Sequence, residues 1–152
     1  MGVRRQGREC ALQMLFTLDI TGDAPLDVMG SYFAEKTILP EVREFASRLF
    51  VQAHERRREI DTLLESSGSS WRLERMAVVD RNILRLSVGE MLGSDAAPPT
   101  VVINEAIEIA KKFSGPEAAQ FINGVLDAVR RRIAEEANPT TAVAPPLPTS
   151  AS

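Results

Sequence analysis

The sequence TVVINEAIEIAKKFSGPEAAQFINGVLD, residues 100–127, predicts two helices and the turn that joins them. In its first half, apolar residues recur at spacings of three and four, which is typical of a helix with one buried face. These residues are Val102, Ile103, Ala106, Ile109, Ala110 and Phe113. Thr100 is the expected N-cap of this helix. Gly115 and Pro116 predict the turn, because glycine is favoured just after a helix and proline at the start of the next one.

The second half carries an aromatic residue that its helix does not need for a core. The apolar stripe of this helix consists of Ala118, Ile122, Val125, Leu126, Val129 and Ile133. Phe121 lies roughly 90° from the centre of the stripe, at about 100° per residue, so we expect its ring to be at best half buried. Lys111 and Lys112 stand nearby, at the end of the preceding helix. A tilted ring beside cations suits bases and phosphates, whereas packing at the rim of the core, with lysines matched to the helix dipole, is the alternative without a ligand.

Composition limits the classes of protein that the chain can represent. Its 152 residues, 44% hydrophobic and 26% charged, predict one globular domain. The formal net charge of −3 argues against binding of nucleic acid by bulk charge, so such binding requires a local basic patch. No apolar run approaches the roughly 18 residues that span a bilayer, and the basic N-terminus lacks the apolar segment of a secretory signal. We therefore expect a cytoplasmic protein that does not associate with membranes.

Residue types that catalyse reactions or bind metals do not form recognisable motifs. His54 is the single histidine, and no cysteine or second histidine stands at metal-binding spacing from it. Cys10 is the single cysteine, and no histidine stands at a spacing that would let it act as a base. A phosphate-binding glycine loop is also missing. The sequence therefore predicts a protein that is not an enzyme, with no catalytic residues, no metal ligands and no cofactor.

Helical periodicity extends through most of the chain, and no segment alternates with the period of two that is typical of a strand. Pro25 is expected to begin a short helix, and Pro40 a long one that continues to about Glu65. The segment Val78–Leu92 is apolar on more than one face, which predicts a helix at the centre of the fold. We predict an all-α fold of about seven helices in a domain over residues 1–137. The Pro-, Thr-, Ala- and Ser-rich residues 138–152 are predicted to be a disordered tail.

Three arginines near the N-terminus form the second signal for function. Arg4, Arg5 and Arg8 share the angular sector of Leu12 and Leu15 if the first helix extends back through them. Cations at the start of a helix also oppose its macrodipole. Since folding gains nothing evident from them, we expect this basic turn to project beyond the core, where a polyanion such as RNA compensates its charge. An arginine-rich start with no function is the alternative.

Several motifs, in order, resemble the NusB family of bacterial transcription antitermination factors. They are RRQGRECALQMLF at residues 4–16, SSWRLERMAVVDRNILRLSVGEML at residues 69–92, and VVINEAIEIAKKF followed by FINGVLD within residues 101–127. The resemblance covers residues 4 to about 133. It implies an all-helical fold of two small helical bundles packed across each other. It also implies a factor that binds the boxA element of ribosomal RNA leaders together with ribosomal protein S10 (NusE) and helps RNA polymerase to read through terminators.

The resemblance also implies which residues contact RNA. The family's arginine-rich arm matches Arg4, Arg5 and Arg8, and its RNA-facing aromatic residues match Phe113 and Phe121. For Phe113 the helical wheel disagrees, because its angle places it on the buried stripe. Residues predicted to bind RNA are Arg4, Arg5, Arg8, Lys111, Lys112, Phe113, Glu117 and Phe121.

By the same resemblance, NusE packs on the central helix, where Asp80, Arg81 and Glu90 are charged positions among apolar ones. An acidic surface there would suit a basic partner. Two other functions stay open: a similar helical unit accompanies the catalytic domain of a ribosomal-RNA cytosine methyltransferase, and a pure protein-interaction module would use no RNA. Some relatives self-associate, so a homodimer is an alternative free state.

Overall fold

A computed structural model describes residues 2–68 and 72–137. In these residues the chain forms seven α-helices and a short 3-10 helix, Leu73–Arg75, and it contains no strand. The α-helices are α1 (Val3–Thr21), α2 (Pro25–Ala34), α3 (Pro40–Glu55), α4 (Arg57–Ser66), α5 (Val78–Leu92), α6 (Pro99–Phe113) and α7 (Pro116–Ala137). The predicted all-α fold of about seven helices is confirmed.

Proline marks the start of four helices, three of them as the sequence predicts. Pro25, Pro40, Pro99 and Pro116 are the first residues of α2, α3, α6 and α7. The fixed backbone angle of proline suits this position, and the N–H that it lacks would have no partner there. The prediction that Thr100 caps α6 is wrong, because the helix already begins at Pro99 and Thr100 lies within its first turn.

The single long helix predicted from Pro40 to about Glu65 is also wrong. The chain leaves helical geometry at Arg56, whose φ of −99° and ψ of 17° separate α3 from α4. The Arg56 guanidinium donates a hydrogen bond of 2.6 Å to the carbonyl of Leu92, the last residue of α5. This hydrogen bond connects the break to α5. Buried residues such as Ile60 continue the apolar periodicity beyond the break. Periodicity alone therefore does not reveal it.

The helices pack as two groups that share α5. Helices α1, α2 and α3 contact one another and form the first group. In the second group, α6 and α7 pack together and α4 packs against α7. Helix α5 contacts helices of both groups. Buried residues of α5 include Ile83, Leu84, Leu86 and Val88, as expected for a central helix. A Cβ on Gly89 would lie 3.2 Å from the Cα of Ala53, so the glycine permits close packing of α5 against α3. Both the central position of α5 and the two small bundles are confirmed.

The predicted tail at residues 138–152 lies outside the described residues, as do Ser69, Ser70 and Trp71 of the second family motif. Among the helices that are described, none is sufficiently long and apolar to cross a membrane.

Candidate nucleic-acid interface

The turn between α6 and α7 places two aromatic residues at the surface. The backbone N–H groups of Ser114 and Gly115 both donate to the carbonyl of Ala110, at 2.8 Å. Gly115 has a φ of 143°, a conformation that favours glycine. Phe113 lies just before this turn and is 37% exposed, and Phe121 lies two helical turns after it and is 38% exposed.

The predicted position on the helix is confirmed for one phenylalanine and wrong for the other. The angular prediction that Phe121 lies off the buried stripe is confirmed, although somewhat more than half of the side chain is covered. The placement of Phe113 on the buried stripe of α6 is wrong. Phe113 is the last residue of α6, where the chain turns away, and its ring lines an open cleft of about 440 Å³ between α1, α2 and the start of α5. The other residues that line the cleft are Leu12, Gln13, Phe16, Thr17, Tyr32, Lys36 and Val79.

Two ion pairs between α1 and α6 bring Arg5 and Lys112 to one surface. Arg5 donates two hydrogen bonds to the carboxylate of Glu105, at 3.0 and 3.2 Å. Lys112 Nζ donates to Glu9 Oε1 at 2.8 Å. The hydrogen bonds and the charge of Glu105 raise the pKa of Arg5 above its ordinary value. The paired residues advance in the same direction along both helices, from Arg5 to Glu9 on α1 and from Glu105 to Lys112 on α6. The two ion pairs therefore lie one after the other along the contact between these helices, which we call the α1/α6 seam.

Lys111 lies beside this seam on the exposed side of α6. Its Nζ is 3.5 Å from the Glu108 carboxylate, and both side chains are more than half exposed. Such a pair stabilises a helix only weakly. Glu117, in the first turn of α7, is exposed as well. The surface around Phe113 and Phe121 therefore combines cations with several carboxylates.

Arg8 does not project beyond the core, so that prediction is wrong. It is 3% exposed, and its guanidinium donates to both carboxylate oxygens of Glu90, at 2.8 and 2.6 Å. Glu90 is itself 4% exposed, at the C-terminal end of α5. The angular sector that Arg8 shares with Leu12 carries it inward, where Glu90 compensates its charge. Neither side chain is at the surface where RNA or a partner would meet it.

Arg4 and Arg5 remain exposed at the start of α1, which is a regular helix from Val3. The Arg4 guanidinium lies 5.2 Å from the centroid of the Phe45 ring on α3. A Cβ on Gly7 would lie 2.4 Å from this ring, so the glycine lets the first turns of α1 approach α3 closely. The basic turn is therefore an exposed helix start, with Arg4 and Arg5 at the surface and Arg8 buried.

The three residues predicted to bind a partner also differ in whether their charges are paired inside the protein. Arg81 donates to both carboxylate oxygens of Asp19 on α1, at 2.7 and 2.9 Å, and is largely buried. Burial acts to raise the pKa of Asp19, but hydrogen bonds from Arg81 and Asn82 outweigh it and hold that pKa below its ordinary value. Asp80, in the first turn of α5, follows Val79 of the cleft wall, and its Oδ1 is buried without a hydrogen-bond partner among the described residues. Of the three residues, Asp80 alone forms no ion pair within the described part of the chain.

Two carboxylates of the seam were not singled out as site residues from the sequence. Glu105 pairs with Arg5 on α1, and Glu9 pairs with Lys112 on α6. No local pattern marks either one, since each partner lies about a hundred residues away.

Groups of three or more His, Cys, Asp or Glu side chains that could hold a metal ion are absent from residues 2–68 and 72–137. Cys10 is a free, partly buried thiol on α1. His54 lies near the end of α3, and its Nδ1 is buried without a hydrogen-bond partner in that part of the chain.

Comparison with known proteins decides the family. A sequence model described as the NusB family matches residues 5–131. The chain belongs to the NusB family. A transcription antitermination protein NusB from Koribacter versatilis is 51% identical over 136 residues, which are 89% of this chain and 93% of that protein. The resemblance inferred from the motifs is confirmed.

Solved structures of NusB proteins share the fold. A crystal structure of the antitermination factors NusB and NusE in complex with double-stranded RNA matches with a TM-score of 0.79 and 29% identity, over 87% of this chain and 98% of that one. The solution structure of NusB from Aquifex aeolicus matches with a TM-score of 0.79 and 29% identity, over 90% of this chain and 93% of that one. The helical architecture is therefore that of experimentally solved NusB proteins.

Proposed function

We propose that this NusB protein is a non-enzymatic antitermination factor that binds boxA-type single-stranded RNA of ribosomal RNA leaders. The observation that carries the proposal is the α1/α6 seam, which brings Arg5 and Lys112 to one surface, with the Phe113 ring beside Lys112. The two cations come from segments about a hundred residues apart, and the core does not need their exposed charges. Cations that neutralise phosphates, beside rings on which bases stack, are the usual means of binding a single strand.

The phosphate contacts that we propose come from Arg4, Arg5, Lys111 and Lys112. Phe113 and Phe121 offer faces for bases, and Glu117 offers a hydrogen-bond acceptor at the start of α7. Arg8 no longer belongs to this set, because its charge is paired inside the protein. Its proposed role is to hold the first helix in place beneath the exposed cations.

The proposed protein partner is NusE, and the proposed surface is the start of α5. A NusB protein of the same fold is described in complex with NusE and RNA. Here Asp80, in the first turn of α5, directly follows Val79, which lines the cleft with Phe16 and Phe113, so an acid stands next in sequence to a largely apolar cleft. That combination suits a basic partner with apolar contacts. With RNA and NusE bound, the protein would act in the cytoplasm as part of the RNA polymerase antitermination complex.

Fluorescence anisotropy with labelled RNA tests the proposal. The RNAs are a boxA-type single strand, a scrambled single strand of equal length, and the boxA-type strand annealed to its complement. Each is titrated with the protein alone and with NusE added. We expect the boxA-type single strand to bind most tightly and NusE to increase its affinity. If NusE binds but leaves RNA affinity unchanged, and no RNA binds to the protein alone, the chain is a protein-interaction module.

Salt dependence provides a second test of the same surface. If four cations meet phosphates, the slope of log affinity against log salt is about −2.8, at about −0.7 per phosphate on a single strand. Affinity would then fall about fiftyfold between 50 and 200 mM salt. A slope near zero would contradict binding through these cations. Sedimentation of the free protein at the same concentrations shows whether it self-associates.

A further inference from the structure

Lys112 is held between two groups of the proposed RNA surface. Its Nζ lies 2.8 Å from Glu9 Oε1 and 5.3 Å from the centroid of the Phe113 ring. The side chain of Glu9 is 12% exposed, whereas that of Lys112 is 51% exposed. The carboxylate is therefore fixed between the helices, and the lysine is the partner that can turn outwards.

We propose that Glu9 and Lys112 form a latch that holds the Lys112 ammonium over the Phe113 ring in the free protein and that RNA opens. This inference rests on the proposed function, because it assigns a regulatory role to residues of the same surface. When RNA binds, the Lys112 ammonium leaves Glu9 for a phosphate, and a base takes its place on the ring. Glu9 then limits the affinity for RNA without contacting RNA itself.

The exchange favours one class of ligand. Opening the latch gives up an ion pair and a contact between a cation and a ring. A phosphate replaces the first and an unstacked base replaces the second, so a ligand that supplies both offsets most of the loss, and the unpaired Glu9 carboxylate is the cost that remains. A duplex presents phosphates but keeps its bases stacked, and a free nucleoside presents a base without a phosphate. The latch therefore selects single-stranded RNA over both.

The neighbouring pair of Lys111 and Glu108 provides a matched control. It also joins a lysine of α6 to a glutamate, at 3.5 Å but within one helix, and among the described residues Lys111 makes no ring contact of the kind that Lys112 makes with Phe113. Substitution of either glutamate by glutamine removes one negative charge close to the seam. A difference between the two substitutions therefore reports the latch, not the change in net charge.

The experiment measures the affinity of a boxA-type single strand for E9Q, E108Q, K112Q and the double variant E9Q/K112Q. We expect E9Q to bind about two- to fivefold more tightly than the unsubstituted protein, the range covered by exposed ion pairs. The fold-change in RNA affinity caused by E108Q should be less than half of the fold-change caused by E9Q. In the K112Q background E9Q should have almost no effect, because the lysine that it releases is gone. Circular dichroism verifies that each variant keeps its helices.

Two results would overturn the latch while leaving the proposed function standing. One is that K112Q weakens RNA binding but E9Q does not tighten it. The other is that E9Q tightens binding as much with Lys112 replaced as with Lys112 present, since this shows a general effect of charge. If K112Q, E9Q and the salt concentration all leave RNA affinity unchanged, the proposed RNA surface is wrong and the latch fails with it.

Discussion

Replacement of Arg8 by Met is expected to cost more stability than replacement of any exposed arginine. The side chains of Arg8 and Glu90 are 4% and 5% exposed, so water does not weaken their interaction. Hydrogen bonds to charged groups each contribute about 1.5–3 kcal/mol, and this pair has two, at 2.8 and 2.6 Å. R8M also leaves the Glu90 carboxylate buried without its partner. We therefore expect the free energy of unfolding to fall by about 3–5 kcal/mol, as for other broken buried pairs.

Guanidinium denaturation, followed by circular dichroism at 25 °C, measures this loss. Two further variants separate the buried charge from other effects. R131M removes the arginine of a pair with Asp127 in which Arg131 is 68% exposed, so it should cost at most about 1 kcal/mol. R8M/E90M removes both buried charges and should recover much of the loss, because apolar side chains can replace a buried pair.

The reasoning would be refuted by a small effect. If R8M lies within about 1 kcal/mol of the unsubstituted protein, with an unchanged dependence on denaturant, the pair contributes no more than a surface pair does. A double variant less stable than R8M would refute the second part of the reasoning, since removal of the unpaired carboxylate would then bring no gain.

Three further predictions test the interface and the packing. F121A should weaken RNA binding by about 1–3 kcal/mol with helix content unchanged, if the ring stacks on a base; equal affinity in anisotropy titrations would exclude this role. G7A should cost about 1–3 kcal/mol in denaturation, because its Cβ would lie 2.4 Å from Phe45, whereas G124A, with no atom within 4 Å, should be neutral or stabilising. The pKa of Asp19 is lowered by folding, so its ionised form stabilises the protein above the unfolded pKa, and this contribution is lost as pH falls through the folded pKa. D19N should therefore lose less stability than the unsubstituted protein between pH 5 and pH 3 in urea denaturation, and parallel losses would show that Asp19 does not contribute.

The helices of this protein could be predicted because their signals are local. The repeat of apolar residues at three and four marks buried faces, and proline at Pro25, Pro40 and Pro116 marks helix starts. The division at Arg56 could not be predicted in this way, because its apolar periodicity continues unbroken and its guanidinium is tied to the end of α5. The exposure of Phe113 was missed because a helical wheel assumes that the helix continues, and α6 ends there.

The candidate site was predicted in its parts and not in its arrangement. Phe121 could be recognised from its angle alone, since that angle is a property of one helix. The meeting of Arg5 with Lys112 needed the packing of α1 beside α6. The carboxylates Glu9 and Glu105 entered the site through the same packing, and nothing near them in the sequence indicates it.

The sequence by itself determined where the helices form and which of their faces are apolar, because these properties depend on residues within one or two helical turns. Tertiary structure alone decided what each charge does. Arg5 and Arg8 stand three residues apart on α1, yet one lies at the surface beside Glu105 and the other is buried against Glu90. Their roles differ because a charge can be buried only where a distant element supplies its counter-charge, and packing of the whole chain decides where that happens.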